Sequence, residues 1–308
     1  MLNLKSIWTS YSKVLGLLLM MVLGISFPQF HALSSYIQYL LMLMLFFAFL
    51  DIDIQPQSFH KGLVWVVLAN LAVAFSAYWI LRPLDLNLAL AAFITGIAPT
   101  AIAAPVIINF IQGRVDYVVG AVLLSNVVMS LVLPVTLPFV VGDIVHISVW
   151  QVLEPVLITM FVPLLLARLA RRLPQDAQVV IRGGKRFSFL LWLLALFIMC
   201  SNAGNFLRNN LAASLSTVLS IALISLVICI LNFGLGALLG GEHFRQESSQ
   251  SLGQKNNSFV IWIALTFINP LVAMGPTFYI LYHNLYNSWQ IYRFERRRGE
   301  ARDEQIVA

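Results

Sequence analysis

Long apolar runs, separated by short segments of charged or turn-forming residues, fill most of the chain. A bilayer hydrocarbon core about 30 Å thick requires about 20 residues of helix, which is close to the length of each run. The runs therefore predict an all-α membrane protein with about ten transmembrane helices. The predicted helices are residues 13–30, 35–54, 61–81, 87–111, 115–141, 147–169, 186–206, 213–239, 249–269 and 270–293.

The Lys and Arg residues between these runs predict the orientation. If both termini are cytoplasmic, the outer connections contain only Arg82 and Arg208, and nearly all other basic residues lie inside. Positive residues are retained on the cytoplasmic side of a membrane. We therefore predict a bacterial inner-membrane protein with one transmembrane domain at residues 1–293. A charged cytoplasmic tail, expected to be disordered, follows at residues 294–308.

The composition supports the bilayer as the solvent of this chain. Hydrophobic residues make up 60%, charged residues 10%, and the mean hydropathy is +0.86, values outside the range of water-soluble domains. The net charge of +6 follows from topology and does not indicate nucleic-acid binding. Cys200 and Cys229 both lie in apolar runs, where thiols behave as small hydrophobes. No metal site or cofactor is predicted.

A basic connection at residues 168–186 divides the chain near its middle. A repeat of five spans crosses the membrane an odd number of times and ends on the opposite side. A second five-span copy therefore has the inverted topology. Inverted repeats of this kind are found in many secondary transporters. We predict two inverted five-helix repeats at approximately residues 13–141 and 147–293.

The fourth and ninth predicted helices, which correspond in the two repeats, contain the most helix-breaking residues. The fourth carries Gly96, Pro99 and Pro105 in GIAPTAIAAP, and the ninth carries GQKNNS, which begins at Gly253 and is too polar for lipid. Unwound backbone at membrane depth persists only where protein or a water-filled cavity satisfies its polar groups. Paired broken helices therefore predict a binding site near the middle of the membrane.

Several motifs, in this order, resemble the bile acid:sodium symporter family, including its bacterial members. They are YIQYLLMLMLFFAFLDIDIQPQSF, the Pro-broken fourth span ending in NFIQGR, LVLPVTLP, GQKNNS, and YHNLYNSW in the tenth span. The resemblance implies a panel and a core domain, with the broken fourth and ninth helices crossing in the core. It also implies transport of bile acid-like organic anions or smaller carboxylates, usually driven by sodium.

The chain departs from the sodium ligands that the resemblance implies. The first family site uses Ser and Asn in the fourth-helix break and hydroxyl residues on the next helix. Alignment on the turn at residue 113 places Ala104 and Pro105 at the first pair, and Val118 and Val122 at the second. Sodium prefers hard oxygen ligands, which these side chains lack.

The second family site uses a Gln from the third helix and a Glu and a Gln from the ninth. This chain has Asn70, Ser251 and Lys255 there. A carboxylate has been replaced and a cation added, and the cation would repel a sodium ion at low dielectric. The resemblance therefore implies a member of the family that does not use sodium.

Lys255 has four possible roles. Its ammonium could occupy the space of the sodium ion, release a proton during transport, or pair with an anionic substrate. It could also extend to the cytoplasmic surface from a position six residues inside the ninth span, about 9 Å at helical rise.

Other polar residues inside the predicted spans are candidates for the site. Asn256 matches a position that the family keeps near the site, and Asn257 follows it in the break. Both could instead cap a helix. Asn126, in the fifth span, could face the site or form an ordinary interhelical hydrogen bond.

Two further candidates lie in the tenth and sixth spans. His283 and Asn284 match a pair in the family, although a packed and hydrogen-bonded His is also common. Glu154, which precedes Pro155, could carry a proton or be an interfacial carboxylate.

Enzyme motifs are absent from the chain. There is no H-E-x-x-H or G-x-S-x-G pattern, and Asp51 with Asp53 is the nearest approach to a magnesium-binding cluster. We predict a secondary transporter of a small organic anion that works by alternating access and without sodium. The alternatives are a proton-coupled cation/proton antiporter of related fold and a channel or sensor without coupling.

Overall fold

The computed structural model describes residues 4–50, 58–142, 147–209 and 215–307. Asp51 and Asp53 lie outside the described residues.

The described residues form α-helices and short 3₁₀ segments, with no β-strand among them, which confirms the predicted all-α class. The helices are α1 (Leu4–Ser26), α2 (Ile37–Phe49), α3 (Gly62–Leu81), α4 (Leu86–Ile97), α5 (Ala104–Phe110), α6 (Val115–Val141), α7 (Val149–Ala170), α8 (Gln175–Gly183), α9 (Ser188–Asn209), α10 (Leu215–Gly240), α11 (Arg245–Gly253), α12 (Asn257–Phe267) and α13 (Pro270–Val307).

Six helical segments within the described residues are long and apolar enough to cross a membrane. They are Pro28–Phe49, Gly62–Leu81, Val115–Val141, Val149–Ala170, Gln175–Asn209 and Leu215–Gly240. Two of the shorter apolar helices, Leu86–Ile97 and Asn257–Phe267, lie in the fourth and ninth predicted spans. These two helices are short because each predicted span is interrupted, so neither helix alone is long enough to cross a membrane.

The first interruption, residues 98–103, separates α4 from α5 and is called the first break. Ala98 is extended, with φ −52° and ψ 134°. The following Pro99 disfavours the helical conformation at Ala98 and supplies no N–H donor. Pro105 lies in the first turn of α5, where the missing donor costs nothing. The prolines thus interrupt the fourth predicted span as expected.

The second interruption, residues 254–256, separates α11 from α12 and is called the second break. Gln254 is extended, with φ −84° and ψ 100°. Gly253, just before it, packs directly against the ring of Phe233 on α10, where a Cβ atom would overlap the ring. The close approach of α10 therefore requires glycine at this position.

Close packing of α3 on α4 positions the candidate site. A Cβ atom on Gly96 would lie 2.8 Å from the Cα atom of Ala74, so the two helices meet with no side chain between them. Asn70, one turn before Ala74 on α3, is thereby placed beside the C-terminal end of α4.

The C-terminal segment differs from its prediction. The helix α13 continues to Val307, so the expectation of a disordered tail after Arg293 was wrong. The segment contains Arg, Glu, Ala and Gln, which are strong helix formers, and a polar composition does not prevent a helix from continuing out of the apolar region.

Candidate functional site

The two breaks pair with each other in antiparallel orientation. Thr100 and Lys255 form an isolated β-bridge. On either side of it, Ala101 N–H donates to the Gln254 carbonyl at 2.8 Å, and Asn256 N–H donates to the Pro99 carbonyl at 2.8 Å. Each unwound segment therefore satisfies backbone groups of the other, as an apolar environment requires. This pairing is called the break junction.

Lys255 extends from the second break to the C-terminal end of α4. Its side chain is buried, with 2% exposure. The Nζ atom donates to Asn70 Oδ1 and, at 3.0 Å, to the Gly96 carbonyl. Asn70 Nδ2 in turn donates to the carbonyls of Ala98 at 3.1 Å and Ile97 at 3.4 Å. Lys255 and Asn70 thus satisfy the unpaired carbonyls at the negative end of the α4 dipole.

The oxygens that contact Lys255 Nζ are neutral. Among the described side chains, no Asp or Glu carboxylate lies within 4.0 Å of Nζ. One contact is an amide oxygen and the other a backbone carbonyl, and both are the oxygen types that bind hard cations. The arrangement therefore places the Lys255 amino group among oxygens of the types that bind hard cations.

Thr100 links the first break to α6 and α11. Its N–H donates to Ser125 Oγ at 3.0 Å, and its hydroxyl donates to the Ser251 carbonyl at 2.6 Å. Asn126 Nδ2 donates to the Thr100 carbonyl at 3.0 Å. Every polar group of Thr100 thus has a partner, and Asn126 lies at the break junction.

Asn257 lies between Lys255 and His283. Its Nδ2 atom contacts the Lys255 carbonyl and His283 Nδ1, each at 3.3 Å. An amide NH₂ group can only donate, so the contact with His283 is a hydrogen bond in the tautomer whose Nδ1 carries no proton. His283 is therefore buried beside the second break, although it does not contact Lys255 Nζ through a described hydrogen bond.

Side chains of α13 also support the second break. Tyr279 Oη donates to the Gly253 carbonyl at 2.8 Å, and Asn287 Nδ2 donates to Gln254 Oε1 at 2.7 Å. Because these bonds reach the last residue of α11 and the first residue of the break, α13 holds the end of α11 in position.

The remaining predicted residues near the break junction contribute less through their side chains. Ser251 Oγ donates to the Glu247 carbonyl within its own helix, and only its main chain contacts Thr100. Asn256 is the N-cap residue of α12 and pairs through its backbone. Pro105 is half-buried at the start of α5.

Two predicted residues do not join this cluster. Asn284 donates to the Ile280 carbonyl of its own helix at 2.7 Å. Glu154 is exposed on α7. Successive side chains of a helix point to different faces. A residue next to a site residue, such as Asn284, therefore need not face the site. The same holds for a charged residue in an apolar run, such as Glu154.

The four positions aligned with the first sodium site of the family are apolar, and three of them are fully buried. Ala104, Val118 and Val122 are fully buried. Their side chains present methyl groups, so the side chains here cannot coordinate a cation. Among the described residues, no cluster of His, Cys, Asp or Glu side chains could hold a metal ion.

Sequence reasoning missed Thr100, Ser125, Gln254 and Tyr279. Thr100 lies within GIAPTAIAAP and Gln254 within GQKNNS, so their positions in the breaks were an available signal. Ser125 and Tyr279 lie in ordinary helical runs, and nothing in the local pattern distinguishes them from other packed residues.

Two buried amide oxygens at the break junction lack a described partner. They are Asn126 Oδ1 and Asn257 Oδ1, and neither has a hydrogen-bond partner among the described residues. Buried polar atoms in folded proteins are nearly always paired, so these two acceptors are candidates for contact with water or with a solute.

A sequence model of the Sodium Bile acid symporter family matches residues 14–210. The matched range covers more than half of the chain and contains α2 to α9 and the first break, while the second break lies beyond it. No protein of curated function matches the chain.

Proposed function

Because the chain belongs to the Sodium Bile acid symporter family, we propose that it is a secondary transporter that moves a small organic anion by alternating access, independently of sodium. Its apolar helices make it a multi-pass membrane protein, and the family consists of transporters of the bile acid symporter kind. In this proposal the protein has ten transmembrane helices in a bacterial inner membrane, with both termini in the cytoplasm.

The contact of Lys255 Nζ with Asn70 Oδ1 and the Gly96 carbonyl carries the proposal. A buried ammonium at this point occupies the negative end of α4 and uses oxygens that a cation would need. A sodium ion placed beside it would experience strong repulsion at low effective dielectric. In this proposal Lys255 replaces the ion structurally, because its ammonium holds the two broken helices together.

The pairing of the breaks supports two inverted repeats at residues 13–141 and 147–293. Each predicted repeat contains one helix broken near its middle, and the two breaks run antiparallel to each other at Thr100 and Lys255. Repeats of opposite topology bring corresponding segments together in this orientation. In the proposed mechanism the core contains the break junction. A panel and this core move against each other and expose the site to one side of the membrane and then to the other.

The polar groups beside Lys255 are the proposed contacts for the transported anion. Asn126 and Asn257 carry the two buried oxygens without described partners, and each amide also has an NH₂ group that can donate to a carboxylate if the side chain turns. Asn256 and His283 lie next to them. The proposed substrate is a bile acid-like anion or a smaller carboxylate, and no cofactor is needed.

Proton coupling is the second version of this proposal. Lys255 lies where the two breaks meet, so loss and gain of its proton would change the contact between them. Glu154 is the weaker proton carrier because it is exposed on α7, away from the contacts of Lys255.

The decisive experiment measures uptake and melting with the same purified protein. Labelled taurocholate or a short-chain carboxylate would be added outside the proteoliposomes, under a sodium gradient, a choline gradient or a pH gradient. Melting in detergent would be compared in sodium, potassium and choline at equal ionic strength. We expect uptake and melting temperature to be independent of sodium, and a dependence on the pH gradient would favour the proton-coupled version.

The variant Lys255→Gln tests the role of the ammonium. We expect it to lower uptake or the melting temperature without creating sodium dependence, because Ala104, Pro105 and Ser251 still offer no complete set of ligands. Lys61→Gln, at an exposed Lys before α3, is the matched control. Sodium-driven uptake in Lys255→Gln, or a higher melting temperature of the wild type in sodium, would contradict the proposal.

A further inference from the structure

A groove on the outer surface of α10, α11 and α13 is separate from the break junction. Its volume is about 780 Å³, and Lys255 is not among the residues that line it. The groove has a basic end and an apolar end, and these two ends carry the argument.

Three arginines form the basic end: Arg245 at the start of α11, and Arg293 and Arg297 on α13. All three are exposed. Among the described side chains, no Asp or Glu lines the groove, and none has a carboxylate within 4.0 Å of these guanidinium groups. The guanidinium fork binds phosphate oxygens in bidentate fashion, so the basic end is suited to an anionic phosphate.

The apolar end extends along α10 and α13, away from the arginines. Ile230 is 63% exposed and Leu285 is 51% exposed, so both present apolar surface to the surrounding lipid. Along α13 the distance from Tyr282 to Arg293 is about 16 Å at a rise of 1.5 Å per residue. This length is close to half of a hydrocarbon core about 30 Å thick, which is the depth of one leaflet.

Aromatic rings form the wall between the two ends. The rings of Phe233 and Tyr286 stack with centroids 4.0 Å apart, and Trp289 lies next to Tyr286. The guanidinium of Arg293 lies 5.2 Å from the centre of the Trp289 ring. Tryptophan favours the boundary between hydrocarbon and headgroups, so Trp289 marks the depth at which a headgroup phosphate would meet Arg293.

We propose that this groove binds an anionic phospholipid of the surrounding leaflet, with its phosphate on Arg245, Arg293 and Arg297 and an acyl chain along Ile230 and Leu285. The charge of the basic end selects an anionic over a zwitterionic headgroup. The open apolar end admits an acyl chain directly from the bilayer. This inference does not depend on the proposed role of Lys255, because the two sites share no side chain.

The test is a titration of the full chain, purified in detergent, with dioleoyl phosphatidylglycerol and with dioleoyl phosphatidylcholine, read by native mass spectrometry. The variant R245Q/R293Q/R297Q removes the phosphate contacts. We expect phosphatidylglycerol to bind this variant about tenfold more weakly or worse, since each basic residue near the headgroup contributes to binding of anionic lipid. Phosphatidylcholine binding should fall much less, because the choline charge offsets the attraction of its phosphate to the arginines.

The control variant R168Q/R172Q/R182Q removes the same charge from arginines of α7, α8 and their connection, which do not line the groove. It should bind phosphatidylglycerol like the wild type. A second variant, Ile230→Trp, fills the apolar end without changing charge and should weaken binding of both lipids. Melting temperatures equal to that of the wild type show that each variant is folded.

Three outcomes would overturn the proposal. The first is equal phosphatidylglycerol binding by the wild type and R245Q/R293Q/R297Q. The second is an equal loss in the control variant, which would indicate a general effect of charge. The third is a preference for free oleate over phosphatidylglycerol in the same titration, which would assign the groove to a single-chain carboxylate instead of a phospholipid.

Discussion

The first and second breaks have similar backbone roles and opposite chemistry. The first break, in GIAPTAIAAP, is almost entirely apolar, and Thr100 supplies its polar side chain. The second break, in GQKNNS, is polar at nearly every position. Side chains of α6 bond to the first break at Thr100. The second break is instead held by the backbone of the first break and by Asn287 of α13, and it donates to the end of α4 through Lys255.

This difference shows how side chains can satisfy the carbonyls at the end of a broken helix. Unwinding α4 leaves carbonyls at Gly96, Ile97 and Ala98 without helical partners. Lys255 and Asn70 donate to all three. The end of α4 thus accepts hydrogen bonds from Lys255 in the second break and from Asn70 on α3. Substitutions in the two breaks should therefore have unequal effects.

The largest effect is expected for Lys255→Ala, which removes the principal donor of the second break. The Gly96 carbonyl and Asn70 Oδ1 would lose a buried partner, at a cost of about 2–5 kcal/mol in the free energy of unfolding. The measurement is the melting temperature in detergent, with Lys61→Ala as the control at an exposed Lys. Equal melting temperatures of the two variants would contradict this stabilising role of Lys255.

The next largest effect is expected for Asn70→Leu, which removes the amide between Lys255 and the end of α4. We expect a loss of about 1–3 kcal/mol, because the carbonyls of Ile97 and Ala98 lose their donor. The double variant with Lys255→Ala should cost less than the two single variants added together, since the side chains share one contact. Strict additivity would show that the pair does not act as a unit.

A smaller effect is expected for Thr100→Val in the first break. This change keeps the shape of the side chain and removes its hydrogen bond to the Ser251 carbonyl, at a cost of about 1 kcal/mol. Thr136→Val is the matched control, because the Thr136 hydroxyl bonds within its own helix. If both variants melt alike, the hydrogen bond from Thr100 to α11 contributes no more to stability than a bond within one helix.

The smallest effect is expected for Glu154→Gln, which lies in neither break. An exposed surface substitution usually changes stability by no more than about 0.5 kcal/mol. Uptake in proteoliposomes should also be unchanged, at every pH gradient tested. A large loss of pH-driven uptake would instead identify Glu154 as a proton carrier and move coupling away from the break junction.

The sequence located the breaks better than it located their partners. Pro99 and the polar run GQKNNS act on the backbone near them, so their effect is visible locally. The partners of the breaks come from distant segments. Ser125 and Tyr279 look like many other helical residues until α6 and α13 are placed against the breaks.

The sequence also did not show which of two adjacent helical residues faces the site. His283 and Asn284 were predicted as a pair, yet His283 contacts Asn257 while Asn284 bonds to its own helix. Adjacent helical residues point about 100° apart, so at most one of two neighbours faces a small site.

The sequence by itself determined the apolar helices, the two interruptions and the presence of a lysine in one of them, because length, hydropathy and helix-breaking residues act locally. Only the tertiary structure decided what Lys255 contacts. Asn70 and Gly96 lie 185 and 159 residues from it along the chain. Contacts at such separations depend on how whole helices pack, and a buried ammonium is held where packing places enough oxygens around it.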